Sequence, residues 1–289
     1  MIARRRSLGA RKLSRSVWSW IALSPLLVAT LLPFAVMIST ALKPHDEVIA
    51  FPPRWLSRRI AWENFGEMWS AVDFGTGLAN SVLVSIGGTI VTLVVALPAA
   101  YAISRMSFRG KDAYGRFLLV TQMLSPILLV LGLFRMAASI HLGGNTLVDT
   151  RSAVVVIYAA FQLAFAVWML ASYFATIPPE LEQAAWIDGA GRLQSLLLVF
   201  VPLAVPAVAV TGIVTFVACW NEFPVALTML RDPTNLTLPL KVVNLVAGRY
   251  SVEWNQVMAA TLLATIPVAV VFATLQRYLV SGLTLGGVK

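Results

Sequence analysis

Charged residues are scarce in this chain. Asp, Glu, Lys and Arg make up 12% of its 289 residues, whereas 58% are hydrophobic, and the mean hydropathy is +0.81. A typical soluble domain carries about 25% charged residues, so this composition excludes a soluble enzyme and a disordered chain. The single cysteine, Cys219, excludes a disulfide framework within the chain, and with only His45 and His141 beside it a zinc site has too few ligands.

The sequence also lacks the pattern G-x-x-x-x-G-K-[ST]. That loop holds nucleotide phosphates on its backbone N–H groups, and an ATPase of the phosphate-loop class requires it. We therefore expect this chain to bind no cofactor of its own, and any energy that it uses to come from a partner.

Long uncharged stretches make up most of the remaining sequence. A helix that crosses a bilayer needs about 20 predominantly apolar residues, and six stretches reach about that length. We therefore predict an all-α, polytopic membrane protein with six transmembrane helices. The six stretches are Val17 to Leu42, Phe74 to Ser104, Phe117 to Phe134, Ser152 to Pro179, Leu193 to Asn221 and Trp254 to Gln276.

The distribution of Lys and Arg predicts the orientation. The formal net charge is +9, and with six spans 13 of the 22 basic residues fall on the side that holds both termini. The positive-inside rule then places both termini in the cytoplasm, in a plasma or inner membrane. This distribution explains the positive charge without a nucleic-acid partner. We divide the chain into a basic cytoplasmic segment 1–16, a six-helix domain 17–280 and a cytoplasmic tail 281–289.

Proline in the apolar stretches predicts bends. Five prolines, Pro98, Pro126, Pro202, Pro206 and Pro267, each remove a backbone donor from a helix that would otherwise be continuous. Each can bend its stretch, although proline is also ordinarily tolerated in membrane helices.

The polar segment between the fourth and fifth stretches, about 176–196, predicts one short helix. Pro178 and Pro179 suit a first helical turn, Glu180 and Glu182 favour the positive end of the helix dipole, and Gly189 and Gly191 end the helix. A helix of about ten residues in a cytoplasmic loop is typical of a docking element. The alternative is an amphipathic connector on the lipid headgroups, although its clustered acids suit an anionic surface poorly.

This segment resembles the EAA motif of the membrane subunits of ABC importers, in the carbohydrate-importer branch. The family pattern is roughly E-A-A-x-x-D-G-A followed by L-P, and residues 183–190 read Q-A-A-W-I-D-G-A, followed by V-P-L at 201–203. Gln183 stands where the family usually has glutamate. Trp220 to Phe223, W-N-E-F, and the end of the chain from Tyr278 to Lys289 extend the similarity over most of the sequence.

The resemblance implies a non-catalytic permease subunit and a set of partners. These are a second permease subunit that is a different chain, two ATP-binding subunits that carry ATP and Mg, an extracytoplasmic solute-binding protein, and membrane lipid. It also implies that the short helix is a cytoplasmic coupling helix that contacts the ATPase. The coupling residues by this resemblance are Glu182, Gln183, Ala184, Ala185, Asp188, Gly189 and Ala190.

Polar residues within apolar spans are costly, so they are candidates for the solute pathway. The alternative for each is a hydrogen bond between helices, and Glu222 could instead lie solvated at the outer boundary. In the third outer loop Asn235, Lys241 and Asn244 are candidates for contact with a binding protein, or are solvated loop residues. The pathway candidates are Gln122, Ser125, Gln162, Trp220, Asn221 and Glu222.

Two other classes of function stay open on the sequence. A secondary transporter that works alone would need a coupling carboxylate deep in a span, and only Glu222 is available. An intramembrane enzyme would need serine with histidine, or paired aspartates, within spans. Both histidines lie in outer segments and no span interior contains an aspartate, so the enzyme class is the weaker of the two.

Overall fold

The structure is a computed structural model that describes residues 2–52, 54–55, 57–142, 145–247 and 250–285. Met1 of the predicted N-terminal segment and residues 286–289 of the predicted tail lie outside the described residues. Within them the regular secondary structure is helical except for one antiparallel ladder, which pairs His141 with Thr146 and Leu142 with Asn145. The elements are α1 (Ile2–Ala41), α2 (His45–Val48), α3 (Glu63–Ala71), α4 (Phe74–Arg105), α5 (Lys111–Gln122), α6 (Pro126–Ser139), β1 (His141–Leu142), β2 (Asn145–Thr146), α7 (Arg151–Phe174), α8 (Pro179–Ile187), α9 (Arg192–Ser195), a π-helical turn (Leu196–Phe200), α10 (Val201–Leu203), α11 (Val205–Trp220), α12 (Pro224–Met229), α13 (Leu238–Val243) and α14 (Trp254–Leu285).

Four of the described helices are long and apolar enough to cross a membrane as continuous segments. They are Ser19–Ala41 within α1, Phe74–Arg105, Arg151–Phe174 and Trp254–Tyr278 within α14. Each overlaps one of the predicted stretches and extends at most two residues beyond it. The second and the fourth continue through Pro98 and Pro267, where bends were also predicted, without a break. In a bilayer a helix satisfies its own backbone hydrogen bonds, so apolar runs of this length adopt it.

The third and fifth stretches are not single straight helices. The third is divided into α5 and α6, which meet at 99°, and the fifth is divided at Ala204 into segments that meet at 82°. Counting each bent pair as one span gives six. The prolines account for both breaks: Ser125 is extended because a residue before proline disfavours the helical region, and Pro206 has no N–H for the Pro202 carbonyl four residues earlier.

The chain forms two compact units. The first comprises residues 1–71 and 248–263. Its buried centre is Asn64, whose Nδ2 donates to the carbonyl oxygens of Ala41 and Lys43, both at 2.8 Å, and whose Oδ1 accepts from Asn255 Nδ2 at 2.8 Å. The Ala41 carbonyl ends α1 and has no partner within the helix, so Asn64 satisfies a group that would otherwise be orphaned.

The second unit comprises residues 72–247 and 264–289, and its core lies where α4, α7 and α11 pack together. Gly88 on α4 permits the close approach: a Cβ atom there would lie 3.2 Å from Cys219 Sγ and 3.5 Å from Tyr158 Cβ. Small residues at helix contacts are how membrane helices approach closely. A larger cluster of buried residues at the other end of α4 includes Ala96, Ala100, Val167, Leu170, Phe174 and Phe200.

We expect Gly88→Val to destabilise the second unit. The added side chain must displace Cys219 or Tyr158, and overpacking of this kind lowers the free energy of unfolding by about 1–3 kcal/mol. Thermal unfolding in detergent measures the effect as a lower melting temperature. Gly132→Val on α6 is the matched control, since no described heavy atom lies within 4 Å of a Cβ built there. Equal melting temperatures for the two variants would contradict the close packing at Gly88.

Candidate functional site

The short helix predicted between the fourth and fifth stretches is present as α8, Pro179–Ile187, nine residues long. Pro179 occupies its first turn, as expected. The backbone N–H of Asp188 donates to the Ala184 carbonyl at 3.0 Å, and Gly189 then turns the chain with a φ of +86°. Glycine adopts this left-handed conformation without the clash that a Cβ atom would bring. The prediction that Gly189 ends the helix is confirmed, whereas Gly191 is extended, with a φ of −75°, and precedes α9 instead of ending α8.

Most side chains of α8 point away from the rest of the described chain. Gln183, Ala184 and Asp188 are exposed, and two large apolar groups on the same segment, Trp186 and Ile187, have 49% and 86% of their surface exposed. Exposed apolar groups beside polar ones are typical of a surface that another molecule covers. This segment therefore has the character of a docking surface.

Glu182 is the one residue of α8 that is buried. The Tyr101 hydroxyl donates to its Oε1, and Arg105 Nε lies 3.9 Å from its Oε2. Glu182 was predicted to be one of the coupling residues, and its carboxylate is directed into the chain toward two side chains near the end of α4 instead of outward. Its part in coupling stays a prediction.

Arg105, the last residue of α4, connects several segments at this place. Its Nη2 donates to the Phe174 carbonyl at 2.8 Å and to the Ile177 carbonyl, and its guanidinium lies over the Phe200 ring, 4.9 Å from the ring centroid. The Phe174 carbonyl belongs to the last turn of α7 and also accepts from the backbone N–H of Ile177 at 3.2 Å. One arginine thus joins the ends of α4 and α7, the segment before α8, and the π-helical turn.

Two aromatic contacts form the base of this group. The Tyr101 and Phe200 rings meet edge to face with centroids 5.1 Å apart, and the Phe174 and Phe200 rings do so at 5.4 Å. Phe174 and Phe200 are fully buried. We call this group the Arg105 cluster, formed by Tyr101, Arg105, Phe174, Glu182 and Phe200.

Sequence reasoning missed the Arg105 cluster. It counted Arg105 only as one of the basic residues that set the orientation. An arginine at the end of a 32-residue helix that is otherwise free of charge was a signal, since a charge in such a position needs a partner. The identity of the partner could not be read from a separation of 77 residues along the chain.

The predicted pathway residues lie in different local settings. Gln122 and Ser125 are exposed and lie on either side of the break between α5 and α6, whereas Gln162 is half-buried within α7. Trp220 is buried and stacks on Phe216 with ring centroids 5.8 Å apart. Their part in a solute pathway stays a prediction.

Asn221 and Glu222, the other two candidates for the solute pathway, form hydrogen bonds with nearby backbone groups. Asn221 is exposed, and its Nδ2 donates to the Val217 carbonyl at 3.0 Å. The carboxylate of Glu222 accepts from the backbone N–H groups of Val225 at 2.9 Å and Ala226 at 3.3 Å. These N–H groups belong to the first turn of α12, which has no helical acceptor for them, so Glu222 caps this helix.

The segment after α12 is tied to α4 and α7. Asn80 Nδ2 donates to the carbonyls of Thr234 at 2.8 Å and Leu236 at 3.0 Å, and Asn80 Oδ1 accepts from Arg151 Nη1 at 2.8 Å. Since these groups are partly buried, the hydrogen bonds specify where the loop lies.

Lys241 was predicted to be a binding-protein contact or a solvated loop residue, and the structure shows neither. Its side chain is 4% exposed, and its Nζ donates to the Asp73 carboxylate at 2.8 Å and to the Asp73 carbonyl at 3.0 Å. The pair joins α13 to the residue that precedes α4. The hydrogen bond from Lys241 lowers the pKa of Asp73 below its ordinary value.

Apolar helices of membrane-spanning length, two of them bent at prolines, together with a short exposed helix in a polar loop, define a polytopic membrane protein with a docking surface. Residues 93–285 match the sequence profile of the family described as "Binding-protein-dependent transport system inner membrane component". The chain belongs to this family, whose members are permease subunits of transporters in the inner membrane.

Named relatives extend the similarity over nearly the whole chain. The inner membrane ABC transporter permease protein YcjP of Escherichia coli K12 is 34% identical over 281 residues, which cover 96% of this chain and 98% of YcjP. The diacetylchitobiose uptake system permease protein DasC of Streptomyces coelicolor is 30% identical over 96% of this chain and 99% of DasC. A crystal structure of a bacterial ABC transporter involved in the import of alginate contains a chain with the same fold. Its TM-score is 0.78 at 22% identity, covering 93% of this chain and 97% of that chain.

We expect the Asp73 and Lys241 pair to make stability depend on pH. Because the pKa of Asp73 is lowered in the folded chain, the carboxylate stabilises that chain at neutral pH, and this contribution is lost as the pH falls through the lowered pKa. Asp73→Asn should therefore have a lower melting temperature than the unmodified chain at pH 7, and the difference should shrink below about pH 4. Asp112→Asn, at an exposed aspartate on α5, is the control. A difference for Asp73→Asn that stays constant from pH 7 to pH 3 would contradict the assignment.

Proposed function

We propose that this chain is one of two membrane subunits of an ATP-driven importer for a sugar or sugar-like solute, and that it forms half of the translocation pathway. The observation that carries the proposal is α8, an exposed helix in a polar loop. Residues 183–190, in α8 and the turn that follows it, carry the family's motif. Family membership supports the transport function, and a relative named for diacetylchitobiose uptake supports a saccharide as the solute.

In this proposal α8 is the coupling helix and lies in the cytoplasm, as do both termini. Trp186 and Ile187 supply apolar surface, and burying such surface against a partner is favourable by about 25 cal/mol per Å². Gln183, Ala184, Ala185, Asp188, Gly189 and Ala190 would form or position the rest of the contact. Ala184 is small and exposed, which lets the partner's backbone approach α8 closely.

The complete importer contains further subunits. ATP and Mg bind to two ATP-binding subunits, which carry out hydrolysis, and this chain contributes no catalytic group. A second permease subunit, a different chain, supplies the other half of the pathway. An extracytoplasmic binding protein delivers the solute. Closure of the ATP-binding pair would move α8, and this displacement would shift the population of the spans between inward-open and outward-open arrangements.

The alternative of a stand-alone secondary transporter has little support in the structure. It needed Glu222 as a coupling carboxylate, and Glu222 instead caps α12 through two backbone N–H groups. The relatives are named as ABC transporter or uptake-system permeases, which favours an importer driven by a partner.

Co-purification tests the proposed assembly. The tagged chain, extracted from its native membrane in mild detergent, should retain an ATP-binding subunit with a phosphate loop and a second six-span permease, identified by mass spectrometry. Ile187→Ser should reduce recovery of the ATP-binding subunit without lowering the melting temperature of the tagged chain, because this side chain is 86% exposed. Ile49→Ser, at another exposed isoleucine, is the matched control. Recovery of the folded chain alone would refute the importer.

The turn at Gly189 provides a second test. We expect Gly189→Val to abolish ATP-driven uptake while leaving the chain in the membrane. A φ of +86° costs a residue with a Cβ atom about 1–2 kcal/mol, and it costs a β-branched residue more. The end of α8 should therefore shift. Gly189→Asn should retain more activity, because asparagine tolerates this conformation.

Gly191→Ala is the control for the turn. Gly191 is two residues further along the same loop, but its φ is −75°, and a Cβ atom there would make only an ordinary contact with Gln194. Undiminished uptake by Gly189→Val, or equal loss in Gly191→Ala, would show that the conformation of this turn is not what uptake requires.

A further inference from the structure

The Arg105 cluster contains an ion pair in a part of the chain where charges are few. The side chains of Arg105 and Glu182 are 12% and 7% exposed. A buried ion pair contributes little net stability compared with apolar residues of similar size, because both ions lose their hydration. Its presence at the base of α8 therefore calls for an explanation other than stability.

The contacts of α8 supply that explanation. Since Glu182 is the single buried residue of this helix, α8 has little apolar packing to hold it against the spans. Its side-chain attachment runs through the Glu182 carboxylate to Tyr101 and Arg105 at the end of α4. Arg105 is bonded in turn to the Phe174 carbonyl at the end of α7.

We infer that Glu182, Tyr101 and Arg105 are positioning residues that transmit displacement of α8 to α4 and α7. The inference deepens the proposed function and rests on it, because it assumes that a partner moves α8. The planar guanidinium is suited to this role: its fixed fork of donors faces two carbonyls and a carboxylate in different directions, so it fixes the angle between the segments as well as their separation.

The geometry also leaves room for adjustment. Arg105 Nε is 3.9 Å from Glu182 Oε2 and has no hydrogen-bond partner in the described part of the chain. An N–H···O hydrogen bond is typically about 2.9–3.0 Å long, so a shift of roughly 1 Å would close this contact. The connection can thus take up a small displacement of α8 by gaining a hydrogen bond rather than by breaking one.

Distance measurements in the assembled importer test the inference. Spin labels at Leu181→Cys on α8 and Val95→Cys on α4 use two exposed positions outside the proposed contact with the ATP-binding subunit, and the native Cys219, which is buried, is replaced by alanine. The complex is placed in lipid nanodiscs and measured with and without Mg and a non-hydrolysable ATP analogue. If α8 and α4 move together, the distance between the labels is the same in both conditions.

Breaking the connection should separate the two movements. In Glu182→Ala we expect the nucleotide analogue to shift or broaden the distance distribution between the labels, while the ATP-binding subunit still co-purifies and ATP hydrolysis continues. Glu180→Ala is the matched control, since Glu180 is an exposed glutamate on the same helix, and it should behave like the unmodified chain. Glu182→Gln, which keeps an acceptor for Tyr101 without the charge, should give an intermediate shift.

A milder variant covers the case in which Glu182→Ala fails to fold. Tyr101→Phe removes only the hydroxyl and leaves the ring against Phe200, and it should give a shift in the same direction but smaller. A nucleotide-independent distance in every folded variant would overturn the role of this cluster and leave the proposed function intact. Absence of any ATP-binding subunit from the unmodified complex would overturn both.

Discussion

The bilayer offers no water to backbone N–H and C=O groups, and this constraint governs the structure of the chain. Long apolar stretches become helices because a helix satisfies its backbone groups within itself. Where a helix ends or breaks, other groups must supply the missing partners. Asn64 does so for the end of α1 and Glu222 for the start of α12, while Arg105 adds a second donor to the Phe174 carbonyl at the end of α7. Two of the most informative polar side chains thus satisfy orphaned backbone groups.

The side chains of α8 are of two kinds: some are exposed to a partner, and one attaches the helix to the spans. A helix in a polar loop can leave Trp186 and Ile187 exposed for a partner, but α8 then has little apolar packing to hold it against the spans. The attachment falls to a charged residue, Glu182, which reaches the end of α4. Docking and attachment are therefore carried by different side chains of one nine-residue helix, which allows a substitution to affect either property separately.

Residues 234–241, which follow α12, are also held by a small number of polar contacts. Asn80 and Lys241 are almost fully buried, and both bind partners across elements that are far apart in the sequence. These contacts fix the backbone of residues 234–241 before any other molecule binds, so ordering it adds little to the entropic cost of binding there. Lysine in a loop suggests a solvated residue, and only its partner, Asp73, shows that Lys241 belongs to the interior.

The helical class, the approximate positions of six apolar stretches and the short helix that ends at Gly189 could all be predicted from the sequence, whereas of the bends predicted at prolines only those in the third and fifth stretches are present. These features depend on hydropathy and on local backbone preferences, which act over a few residues. The inward direction of Glu182, the contacts of Arg105 with neighbouring elements and the burial of Lys241 follow only from the packing of the folded chain. Each of these outcomes depends on a partner 69 to 168 residues away in the chain, and the chemistry of a side chain indicates that it needs a partner without indicating which one.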